Sequence, residues 1–123
     1  MDILAIKPST ISVDIKHPAT GNPIGLVIEC VSMESDEVKV VERRIKAQAL
    51  KARGQMTPET IDSNAMALRA AAIVGWAWDD ALTLGSLSNP ALTDANKAAL
   101  LAVPWIAKQV DQALGDEAAF FQQ

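Results

Sequence analysis

The chain holds one histidine and one cysteine, so any catalytic or metal chemistry would have to be built from very few groups. His17 lies in the run His17-Pro-Ala-Thr-Gly-Asn-Pro23, where it reads as an exposed turn residue rather than a general base. Cys30 lies on a segment of alternating apolar and polar residues, and reads as a small core side chain rather than a thiolate nucleophile. One imidazole and one thiol make a zinc site only with several carboxylates beside them. Asp79 and Asp80 supply half of a general acid–base pair, but adjacent residues on a helix diverge by about 100°, and the sequence offers no second half. Solvent exposure at a helix end is the simpler reading. Gly21 and Gly25 do not form a phosphate-binding pattern. The expectation is a protein with no catalytic residue, no cofactor and no metal.

What remains is the chemistry of non-covalent binding. The aromatic residues are three tryptophans and two phenylalanines, with no tyrosine. Trp76, Trp78, Trp105, Phe120 and Phe121, together with Leu82, are the candidate apolar anchors of a protein-interaction surface. Arg43 and Lys46 are the candidate charged contacts. They lie in a basic run formed by Lys39, Arg43, Arg44, Lys46, Lys51 and Arg53, which reads either as a solvated helix face or as a docking face for an acidic partner.

These side chains are carried by a chain of 123 residues, read as a single domain over 1–123. Half of the residues are hydrophobic and 21% are charged, a globular composition rather than a disordered one. A net charge of -4 argues against nucleic acid as the main partner, because that affinity comes largely from phosphate neutralisation. The lone cysteine excludes an intrachain disulfide and fits a reducing cytosol. The first residues lack a basic region followed by a long apolar run, so no signal peptide is expected. The apolar stretch around Ile73 is interrupted by Arg69 and bounded by Asp79, too short to cross a bilayer. The expectation is a soluble, intracellular protein with no membrane partner.

The elements follow from periodicity. After an extended lead-in, Thr10 to Lys16 alternates with Ile11, Val13 and Ile15 on one side, and Ile24 to Val31 alternates with Leu26, Ile28 and Cys30 on one side. The turn between them places Gly21 or Asn22 at positive φ. This hairpin over 9–31 is marginal alone, so either the first helix covers it or its open edge pairs with a second copy, giving a homo-oligomer. The helical part, 35–122, opens with Ser35 as N-cap and runs to Gly54 as C-cap, with Val38, Val41, Ile45, Ala49 and Ala52 facing inward. Thr57-Pro-Glu starts a second helix. It continues through the alanine-rich stretch Ala65 to Leu82 as the central, most buried helix, so that Leu68→Ala should cost about 2–5 kcal/mol. On such a helix Trp76 and Trp78 are too close for one face, and one of them would point outward as an anchor. Leu84 to Pro90 reads as a loop, Thr93 caps a short helix, and Pro104 breaks the chain before a last helix begun at Trp105. The fold class expected is α+β, mainly α: an N-terminal β-hairpin followed by a four- to five-helix bundle.

In this order the pieces resemble the tail assembly chaperones of long-tailed bacteriophages and related prophages. The resemblance runs over nearly the whole chain. It is carried by His17, Pro18, Thr20 and Gly21, by Pro23 to Gly25, and by the acidic opening Glu34 to Glu37 before a basic helix. It continues through Val74-Gly-Trp76, Leu84-Gly85, Asn96, Pro104-Trp-Ile106 with Gln109-Val110, and the closing phenylalanine. Such proteins often end on one phenylalanine, where this chain has two. The resemblance implies a non-catalytic chaperone that binds the tape measure protein, helps recruit the tail-tube protein, and works in the cytoplasm of the bacterial host. A head–tail connector, neck or minor tail component is the structural alternative, and a small nucleic-acid-binding regulatory module the other.

Overall fold

The computed structural model describes residues 2–52, 55 and 57–121. A short 3-10 turn at Ile3–Ala5, capped by the Asp2 carboxylate, interrupts the lead-in. Strands β1 (Ile11–Lys16) and β2 (Pro23–Cys30) then form the expected antiparallel hairpin. Gly21 takes the positive φ, +73°, that the turn requires. Val13 faces Ile28 and Ile11 faces Cys30 across the ladder, which puts both apolar sets on one side of the sheet.

Helices α1 (Asp36–Ala52) and α2 (Pro58–Ala72) follow. The Ser35 carbonyl accepts the Lys39 N–H at 2.9 Å, so Ser35 stands in the expected N-cap position. Its buried hydroxyl bonds nothing among the described residues, and so does not cap. The expected C-cap, Gly54, lies outside the described residues, as does Arg53. Thr57 caps α2 through the Thr60 N–H, with Pro58 in the first turn.

The largest departure from the sequence reading begins at Ile73. The stretch expected to continue as the central helix leaves α2 at Ala72 and becomes strand β3 (Ile73–Trp78), antiparallel to β2. Three local features favour this. Ile73 and Val74 are β-branched and lose χ1 freedom in a helix, and Gly75 costs a helix interior about 1 kcal/mol relative to alanine. The tryptophans stand two apart, the repeat of a strand face. A fourth cause is non-local: β2 offers an unpaired edge, and a two-stranded hairpin is marginal without a third strand. The order β1-β2-β3 satisfies both.

A second, small hairpin, β4 (Thr83–Leu84) with β5 (Leu87–Ser88), occupies the expected loop. Helices α3 (Asp94–Leu101), capped by the Thr93 hydroxyl, and α4 (Pro104–Leu114) complete the chain before a closing 3-10 turn at Glu117–Phe121. The described residues thus form four helices and five strands in two sheets, 50% helix and 21% strand, which replaces the expected helical bundle with an α+β fold.

The core shows why. Ile15, Leu26, Ile28, Cys30 and Ile73 from the sheet pack against Leu100, Leu101, Ile106 and Val110 from α3 and α4. The sheet is therefore covered by the C-terminal helices and not by the first helix. The opposite face is wet, with Ser12, Asp14, Glu29 and Ala77 exposed, the usual state of a one-sided antiparallel sheet. Of α1 only Val38 is fully buried. Leu68, expected in the most buried helix, is only half-buried.

Gly25 stands where β2 meets the end of β3. Its φ is +93°, and a Cβ there would lie 2.6 Å from the Asp79 Cβ. Gly25→Ala is expected to cost about 1–3 kcal/mol, from left-handed strain and the clash together. Gly85→Ala, also at positive φ but with open space around it, should cost less. Equal denaturation midpoints for the two variants would show that the Asp79 contact contributes nothing.

Candidate functional site

Trp76 and Trp78 sit on β3, two residues apart, and so project from the same face of the sheet. This corrects the expectation that one of them points outward. Their rings meet edge to face, with centroids 5.7 Å apart and planes at 86°, an arrangement favoured by the ring quadrupoles. The Trp76 indole N–H donates to the Pro90 carbonyl at 3.0 Å, fixing the loop after β5 against the strand. The Trp78 indole N–H is buried without a partner among the described residues.

Three of the residues singled out from the sequence converge. Trp78, Leu82 and Trp105 line an apolar pocket of about 260 Å³ together with Ile24, Leu84 and Val103. Pro104 sets Trp105 in the first turn of α4, and the Leu82 N–H is tied to the Asp79 carbonyl at 2.9 Å, just past the end of β3. Asp79 and Asp80 are exposed, as expected, though at a strand end rather than a helix end.

The other candidates are elsewhere. Phe120 is 1% exposed and belongs to the core, whereas Phe121 is 42% exposed. Burial of Phe120 removes it from any docking surface. Arg43 and Lys46 are exposed on α1, away from that pocket. Lys46 pairs with Glu42 at 2.9 Å, and Lys39 forms ion pairs with Glu34 at 3.2 Å and, more loosely, with Glu42 at 3.6 Å. The bond from Lys46 holds the Glu42 carboxyl below its ordinary range, and the bond to Glu34 holds Lys39 above its own. Lys39 and Lys46 are thus paired with carboxylates, which weakens these two as anion contacts.

Two grooves flank α2 and were not read from the sequence. One, about 330 Å³, runs between α1, α2 and α3; its floor is Ala67, Ala70, Ala71 and Ala98, with Arg44 and Asp94 on its rim. The small alanine side chains leave space here. Lys97 crosses one end and donates to the Ala70 carbonyl at 3.2 Å, near the C-terminus of α2 where a cation is favoured. The other groove, about 340 Å³, lies between α2 and α4 and is lined by Met33, Ala65, Leu68 and Leu114. It ends at an ion pair in which Arg69 donates through Nε and Nη2 to the two oxygens of Asp111, the latter bond 2.8 Å long. These bonds push the Arg69 pKa further above its ordinary value.

The reactive groups have ordinary structural surroundings. His17 is exposed, and its Nδ1 accepts the Ala19 N–H at 3.0 Å within the turn. Cys30 is wholly buried, and desolvation pushes its thiol up to about 11, away from thiolate chemistry near neutrality. Among the described residues no group of three His, Cys, Asp or Glu side chains is placed to hold a metal ion. No described helix is long and apolar enough to cross a membrane. The arrangement offers one apolar pocket and two grooves of mostly small or apolar residues with charged side chains at their margins.

No family model, no curated protein and no solved structure matches this chain.

Proposed function

We propose that this chain is a non-catalytic tail assembly chaperone of a long-tailed phage or prophage, working in the cytoplasm of the bacterial host. It binds the tape measure protein and helps bring the tail-tube protein to it. The ordered motifs from His17 to Phe120 suggest the family. The observation that carries the binding mode is the pair of grooves along α2, one floored by alanine and the other lined by Met33, Leu68 and Leu114. Grooves between helices accept an amphipathic helix through apolar anchors at helical spacing, and a long apolar helical protein presents such a stripe repeatedly.

The test is co-expression with a helical fragment of a phage tape measure protein, without added nucleotide or metal. The fragment is expected to remain in the soluble fraction only when this chain is present. Ala67→Phe, which fills the groove between α1 and α3 from its floor, is expected to abolish that protection while the variant keeps its far-UV dichroism. A fragment equally insoluble with and without the chain would end the chaperone reading. Full protection by Ala67→Phe would move the binding surface elsewhere.

A further inference from the structure

The sheet has two outer strands, and they are treated differently. In β1 the outward backbone of Lys16 is occupied: its N–H donates to Gln109 Oε1 at 2.8 Å, and its carbonyl accepts from Gln109 Nε2 at 2.9 Å. The side-chain amide from α4 stands where a neighbouring strand would. The same strand carries Asp14 and Lys16, bonded to each other at 3.2 Å on the wet face. Charged side chains and a covered edge are the common means by which proteins prevent strand addition.

β3 has none of these. Ile73–Trp78 contains no charged residue and no proline. The Asp79 N–H donates to the Gly25 carbonyl at 2.8 Å, in register with the Val27–Ala77 and Glu29–Gly75 pairs. Bonded and unbonded pairs alternate along an antiparallel ladder, so Ala77 and Gly75 bond β2 while Trp76 and Trp78 turn their N–H and carbonyl groups outward. Those four groups have no partner among the described residues.

We propose that this edge pairs, antiparallel, with β3 of a second copy of the chain, about a two-fold axis at Ala77. The sequence of the strand is self-complementary in that register. Trp76 of each copy lies opposite Trp78 of the other, as two hydrogen-bonded pairs that use all the open backbone groups. On the wet face Ala77 meets Ala77, in the closely spaced, unbonded position that a small side chain fits, and each Asp79 falls opposite Gly75, over which the Glu29 carboxylate of that copy stands. On the helix-covered face the half-buried indoles would meet as cross-strand aromatic pairs. The product is one continuous six-stranded sheet. The inference stands apart from the chaperone reading, since it uses the strand edge and neither groove along α2.

Light scattering on the full chain, followed by charge placement at the axis, tests it. The unmodified chain should show twice its 13.1 kDa mass at high concentration. Ala77 is exposed, so Ala77→Lys and Ala77→Glu should each fold, as checked by far-UV dichroism. Each should weaken the dimer about tenfold or more, because like charges then face each other directly. An equimolar mixture of the two should restore it. A monomer mass for the unmodified chain at high concentration would overturn the proposal and leave the edge to a strand of another protein. A dimer that Ala77→Lys and Ala77→Glu leave undisturbed would overturn it equally, by placing the interface elsewhere.

Discussion

Ile28→Ala should destabilise the protein by about 2–5 kcal/mol, measured by chemical denaturation at constant slope. Ile28 is wholly buried at the middle of β2, the central strand, with Val13 opposite on one side and Trp76 on the other. Its side chain belongs to the cluster that joins the sheet to Leu100, Leu101, Ile106 and Val110. Truncation removes apolar contacts and leaves a cavity. The walls cannot close easily, because two hydrogen-bonded ladders fix the backbone on either side. Leu68→Ala, expected from the sequence to be the severe change, should cost less than Ile28→Ala, since Leu68 is half-buried on a groove. If Leu68→Ala proves the more damaging of the two, the sheet is not the centre of the core.

That reversal shows where sequence pattern ends. The hairpin, the positive φ at Gly21, the caps at Thr57 and Thr93 and the burial of Cys30 are local matters, decided by neighbours within a few residues. They were legible. Strand β3 was not, because Ala65 to Ala72 is strongly helix-forming and its alanines carry the eye past Ile73. What decides the change is the free edge of β2, which lies far back in the sequence. Once the strand is missed, every side chain on it is assigned to the wrong geometry. Trp76 and Trp78 diverge on a helix and share a face on a strand. The convergence of Trp78 and Leu82 with Trp105 depends on the same long-range pairing, so the candidate residues could be named but not assembled. The grooves along α2 were hidden differently: alanine signals close packing or empty space depending on what lies opposite.

Phe120→Ala should also be severe, costing about 3–5 kcal/mol, although Phe120 stands almost at the end of the chain. Chain ends usually tolerate change, because few contacts hold them. Here the side chain is 1% exposed and lines a small cavity of about 140 Å³ with Ser32, Met33 and Leu114, so it closes the space between the end of β2 and the end of α4. Its backbone carbonyl accepts two hydrogen bonds from Ser9, the N–H at 2.6 Å and the hydroxyl at 3.0 Å. The closing turn thereby holds the segment that leads into β1. Loss of the ring would free that turn, and with it the anchor of the first strand. Hydrogen exchange at the Ser9 amide should rise in Phe120→Ala along with the loss of stability. Phe121→Ala, at an exposed neighbour, should stay within about 0.5 kcal/mol of the unmodified chain. A Phe120→Ala variant as stable as Phe121→Ala, with Ser9 still protected, would return Phe120 to the surface and make it available again as an anchor for a partner.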